Sequence, residues 1–236
     1  MKLPDIIPLF PLPNVVFFPR MPLPLHVFEP RYRAMVRDTV RGARLIGMVL
    51  LRGDWEKGYA GSPEIFGVGT VGELARTEEL PDGRFDIVLR GLREFVIHRE
   101  LTRSPYREAV VSWREPPHDA LGADVRAGIG EVVMRYLRRT GRAEEQASLV
   151  ETGIDDETFV NFLAQHLDLD PVEKQALLEA RDLAGRGRRL LDVLEFRLEE
   201  LRLDPGGQGL RRARCTSSRR GWQRLAGGAR VAGPCR

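Results

Sequence analysis

At 236 residues, with 42% apolar and 30% charged side chains, the chain is long enough to bury a sizeable core as one large or two small domains. Its net charge of +3 conceals a division, because residues 204–236 hold eight arginines against Asp204 alone and leave residues 1–203 at −4. That balance weakens a nucleic-acid reading of the body, the confinement of Cys215 and Cys235 to the same tail excludes a disulfide framework, and the longest apolar run, Leu45–Leu51, is too short for a membrane span.

Prolines at 4, 8, 11, 13, 19, 22 and 24 forbid the apolar helix of a signal peptide, so the expected location is the cytoplasm with no membrane partner. Short β-rich pieces then alternate with Pro and Gly turns: Ile6–Phe10, Val15–Phe18, Leu23–Phe28, Leu45–Leu51, Ile65–Leu74, Phe85–Arg90, Glu94–His98 and Tyr106–Trp113. Phe85, Ile87 and Leu89 share one face at period two, and Pro81-Asp82-Gly83 supplies the turn of a hairpin between Ile65–Leu74 and Phe85–Arg90. One helix interrupts this region over Pro30–Val40, where Tyr32, Met35 and Val36 recur at helical spacing.

Beyond Pro116-Pro117 the period becomes helical. Asp119–Arg139 carries Leu121, Val125, Ile129, Val132, Val133, Tyr136 and Leu137, and Asp155–Leu167 follows. A third helix opens at Asp170-Pro171-Val172-Glu173 with the residues of an N-cap, a first-turn proline and a capping acid. The last, Arg186–Leu203, has Leu191, Leu194, Leu198 and Leu201 as its apolar stripe. The expected domains are a β-rich one over 1–115, a helical one over 116–203, and an Arg/Gly-rich disordered tail over 204–236 whose arginines suit an anionic partner such as nucleic acid.

Motifs for chemistry fail on context. Gly67-Val68-Gly69-Thr70-Val71-Gly72 has the spacing of a dinucleotide loop, but only Glu73–Leu80 separates it from the next turn, so the glycines belong to a bulged strand. None of Lys2, Lys57 and Lys174 follows a glycine, which excludes a Walker-type phosphate loop. Ser62, Ser104, Ser112 and Ser148 lie in no nucleophile motif, and His26, His98, His118 and His166 are dispersed, with no second histidine or cysteine at ligand spacing. No catalytic residue, metal or cofactor is expected.

The segment Ile7-Pro8-Leu9-Phe10-Pro11-Leu12-Pro13-Asn14-Val15-Val16-Phe17-Phe18-Pro19, continuing from Leu23 through Glu29-Pro30-Arg31-Tyr32 to Val36, resembles the opening of the Lon protease N-terminal, or LON substrate-binding, domain. Phe85–Gly91 with Arg93-Glu94-Phe95, and Glu173–Ala180, are similar to that family's central hairpin and helical part, and the likeness covers residues 3–202. Arg20 departs from it, since glycine often follows that proline. The resemblance implies an α+β fold, a twisted antiparallel β pseudobarrel of PUA-like type followed by a helical bundle. It also implies a module that helps to capture protein substrates, and with no ATPase or peptidase motif found the expectation is a stand-alone, non-enzymatic module that engages unfolded or degradation-bound proteins. A protease or chaperone ATPase is the partner the family suggests. The alternatives are an RNA-binding PUA-like protein and an accessory subunit of an ATP-dependent protease.

Phe10, Phe17, Phe18 and Phe28 crowd one short region, and most suit the core. Exposure of one or two beside Met21 would make an apolar patch for extended clients. The candidate substrate-binding residues are therefore Phe17, Phe18, Pro19, Met21 and Pro22, on a turn expected to leave strand edges open. Glu29 is expected to cap the following helix or pair with Arg33.

Overall fold

A computed structural model describes residues 3–53, 55, 62–116, 119–142 and 154–203. The tail with Cys215 and Cys235 lies outside the described residues, as do Lys2, Lys57, His118 and Ser148. The chain divides into two units after Pro116.

The first unit contains β1 (Ile6–Leu12), β2 (Pro22–Val27), α1 (Pro30–Arg41), β3 (Leu45–Leu50), β4 (Val68–Glu79), β5 (Phe85–Leu101) and β6 (Arg107–Trp113). The sheet order β2-β5-β4-β3-β1-β6 closes into a barrel because β6 also pairs with β5. Every pairing is antiparallel except β1 with β3, which run the same way after the intervening β2 and α1 return the chain to the sheet. The sequence pieces Phe85–Arg90 and Glu94–His98 are one strand of 17 residues, which pairs with β2 over its first half and with β6 over its second. Register shifts at Val71/Gly72 and Leu74/Arg76 bend β4 against it, so the predicted glycine run is indeed bulged strand. Val15–Phe18, predicted as a strand, joins no sheet.

Ile7, Leu9, Leu45, Val49, Val71, Phe95, Ala109 and Val111 fill the barrel. α1 packs by Tyr32, Met35, Val36 and Thr39, with the Tyr32 ring 4.3 Å from that of Phe10 and the Arg37 guanidinium 5.4 Å from the Phe85 ring centre. Glu29 stands at the N-cap position of α1 without a side-chain cap bond. Its carboxylate takes Arg31 at 3.0 Å, while the Arg33 side chain runs against the backbone at Gly83.

The second unit contains α2 (Ala123–Arg139), α3 (Asp156–His166), α4 (Pro171–Leu178) and α5 (Leu183–Leu203). Asp155 accepts from the Thr158 N–H at 3.1 Å to cap α3, and Glu173 accepts from the Asp170 N–H at 2.8 Å at the start of α4. α5 begins at Leu183, earlier than predicted, because the Asp119 carboxylate accepts from the N–H groups of Leu183 (3.3 Å) and Ala184 (2.9 Å). Its buried stripe is Leu183, Gly187, Leu190 and Leu194, with Leu191, Leu198 and Leu201 only half-buried. The predicted stripe is rotated because Gly187 lets the helix close on α2: a Cβ there would stand 2.7 Å from Leu121 Cδ2. Arg186, 4% exposed, donates to Leu177 O (3.0 Å), Leu178 O (3.3 Å) and Asn161 Oδ1 (2.6 Å), which places a cation at the C-terminal carbonyls of α4.

Candidate functional site

The turn from Phe17 to Pro22 faces inward. Phe17, Phe18 and Met21 are 1%, 0% and 3% exposed, Pro19 is buried, and only Arg20 and Pro22 reach solvent. The expected exposed patch of Phe17, Phe18, Pro19 and Met21 is thus replaced by an interior plug, for a reason written in the strands beneath it. A Cβ at Gly72 would lie 2.8 Å from the Phe17 ring, and one at Gly91 would lie 2.3 Å from the Phe18 carbonyl oxygen. Glycine at both positions clears the slot that the turn fills. Two backbone bonds lock it there, Arg20 N–H to Gly91 O at 2.8 Å and Gly91 N–H to Met21 O at 2.9 Å. Arg20 itself has φ +67°, the left-handed region that glycine occupies without cost.

Beyond Pro22 the chain does present an outward face. On β2, Leu25 and Val27 turn inward, whereas Pro22, Pro24 and the following Phe28 (42% exposed) face solvent. On β5, Arg90 stands opposite Pro22, Val88 opposite Pro24 and Asp86 opposite His26. His26 lies between the two characters of this face: its Nδ1 is 2.6 Å from Asp86 Oδ1, its Nε2 is 3.2 Å from an Arg84 nitrogen, and its ring stacks on Phe28 with centres 6.4 Å apart. Ion pairs Arg90 to Glu73 (2.6 Å) and Arg76 to Glu78 (2.9 Å) continue across β4. The result is an apolar strip of Pro22, Pro24 and Phe28 along β2, bordered by a charged ladder.

β2 pairs with β5 alone. The bond from Gly91 N–H to Met21 O sets the alternation, so the backbone groups of Leu23, Leu25 and Val27 meet β5 while positions 22, 24 and 26 turn theirs to the outer edge. Pro22 and Pro24 cannot donate there, which blunts the edge against strand addition. The edge expected to be open is thus closed to strand addition at positions 22 and 24. Of the sequence candidates only Pro22 is exposed, and Pro24 and Phe28 share its face, as the alternation from Pro22 to Phe28 implies.

Among the described residues no group of three or more His, Asp or Glu could hold a metal ion, and no helix is long and apolar enough to cross a membrane. His166 donates from Nδ1 to Phe162 O at 2.9 Å, and burial lowers its pKa. Lys174 donates to Gln165 O at 2.7 Å, and burial brings its amine down to about 8. Both serve helix packing in the second unit.

Residues 6–195 match the sequence model of the ATP-dependent protease La (LON) substrate-binding domain, which is most of the chain and includes both units. The chain belongs to the LON substrate-binding domain family. Its LON domain is 28% identical over 207 residues to a Lon protease of Cytophaga hutchinsonii, covering 86% of this chain and 25% of that protein. It is 29% identical over 208 residues to Lon protease 2 of Myxococcus xanthus, with 85% and 25% covered. The chain thus spans about a quarter of the length of these relatives. Among solved structures, a Lon N-terminal domain protein from Xanthomonas campestris is 26% identical with a TM-score of 0.58, over 81% of this chain and 98% of that one. The N-terminal domain of a Mycobacterium avium complex Lon protease has a TM-score of 0.61 at 17% identity, over 80% and 98%, and shares the fold. The matched region of the LON family is its substrate-binding domain and not a protease domain.

Proposed function

We propose that this LON domain acts in the cytoplasm as a non-enzymatic binding module for unfolded or degradation-bound polypeptides. An apolar stretch of client would lie along Pro22, Pro24 and Phe28. The observation that supports this most is the exposure of Phe28 on the outer face of an edge strand, in a chain whose family is defined by substrate binding. An aromatic ring at the end of two prolines offers rigid apolar contact at small entropic cost, and the charged ladder beside it accommodates the polar side chains that alternate in an extended client. A partner ATPase or protease would complete the pathway of the captured client, in keeping with the context in which the relatives carry this domain. The test is the anisotropy of a fluorescent, reduced and carboxymethylated model protein titrated with the chain. Phe28→Ser should weaken binding by about fivefold while costing under about 1 kcal/mol of stability. Unchanged binding by a folded Phe28→Ser variant would refute the placement.

A further inference from the structure

We propose that the helical unit carries a second, separate interaction surface, a groove between α2 and α5 that docks an acidic polypeptide segment with apolar anchors. The groove is open to solvent and has a volume of about 540 Å³. Arg135, Arg138 and Arg139 line it from one face of α2, and α5 contributes Leu198 and Arg202 together with Glu195 and Glu199. The spacing explains the convergence, since each set recurs at three and four residues and so occupies one side of its helix. Residues 117–203 carry 12 basic against 18 acidic side chains, so four arginines around one groove are a local reversal of the unit's charge.

Two of the four are already engaged. Arg139 donates to Leu201 O at 2.8 Å and Arg202 pairs with Glu199 at 3.6 Å. Arg135 and Arg138 make no ion pair among the described residues and point two exposed guanidinium groups at the groove. Leu198, half-buried, forms an apolar floor between them.

Charge and floor together choose the occupant. A nucleic-acid backbone would bring evenly spaced phosphates against Glu195 and Glu199 as well as against the arginines, with no use for Leu198. A polypeptide with discrete carboxylates can pair its acids with Arg135 and Arg138, keep them from the two glutamates, and seat an aliphatic side chain on Leu198. Its own arginine-rich residues 204–236 carry the wrong sign to occupy the groove.

The probe is a fluorescein-labelled peptide of alternating glutamate and photo-leucine, titrated against the full chain by anisotropy and then crosslinked, beside an oligothymidylate of equal charge. The peptide should bind the unaltered chain more tightly than the oligonucleotide, attach at Leu198 or its groove neighbours, and lose about tenfold or more in affinity on Arg135→Glu with Arg138→Glu. Circular dichroism should show that variant as helical as the parent. Attachment only outside the groove, an unchanged affinity in the folded variant, or tighter binding of the oligonucleotide that the variant abolishes would each overturn the proposal.

Discussion

Arg20 holds a left-handed backbone conformation, φ +67°, in the middle of the plug that closes the β2 end of the sheet. For an L side chain this costs about 1–2 kcal/mol, part of which glycine gives back by its freedom in the unfolded chain. Arg20→Gly should therefore raise stability by about 0.5–1 kcal/mol, read as a higher midpoint in urea unfolding. Arg44, with φ +59°, would lose a side-chain bond in the same change, since its guanidinium donates to Leu74 O at 2.7 Å. Phe18→Ala should cost about 3–5 kcal/mol, the penalty of a fully buried ring, although its turn reads from sequence as an exposed one. The sequence carries Phe17-Phe18-Pro19 and, far downstream, Gly72 and Gly91, but nothing local links them. Burial of the pair depends on strands that approach only after β4 and β5 have formed, and so the plug was not legible while the departure at Arg20 was.

At the scale of single elements, the periodic segments were the legible ones. Phe85, Ile87 and Leu89 are buried on β5 as period two requires, and α1 buries Tyr32, Met35 and Val36 as its spacing requires. The buried face of α5 was read one step around the helix, since its true stripe passes through Gly187, a residue with no apolar signal. The cap of α5 was invisible for a similar reason: Asp119 lies outside the helix it caps. Asp119→Ala should cost about 1 kcal/mol and shorten α5 at its start, measurable as lost amide protection at Leu183 and Ala184. The helical unit should also respond to alkaline pH through Lys174. Burial lowers its amine in the folded state from 10.5 to about 8, so below pH 8 both states are protonated and the full cost of the buried charge is present. Between pH 8 and 10.5 the folded chain sheds a proton that the unfolded chain retains, and stability rises with pH. Burial raises the pKa of Tyr136 in the same unit, so above pH 10 the unfolded state ionises first and stability falls again. Unfolding followed at 222 nm should show a rise from pH 7.5 to 9.5 that Lys174→Met flattens.

For the whole molecule, the division into a β-rich unit and a helical unit follows from the change of period near Pro116-Pro117, whereas the barrel is implied only by the resemblance to the LON domain. The barrel's closure is not legible locally. The parallel pairing of β1 with β3 and the second pairing of β5 with β6 join residues distant in sequence, and no local pattern encodes them. The same holds at the candidate site. Nothing local in the sequence marks β2 as the edge, and only the register with β5 reveals which of its residues turn outward. Binding through the outer side chains of β2 is the central claim, and amide chemical-shift mapping with an unfolded, carboxymethylated polypeptide tests it most directly. Shifts concentrated at Leu23, Leu25 through Phe28 and Val88, with the buried Phe17 and Phe18 amides unmoved, are the predicted result. Shifts that spare β2 and fall on another face of the barrel, or on the helices alone, would contradict it.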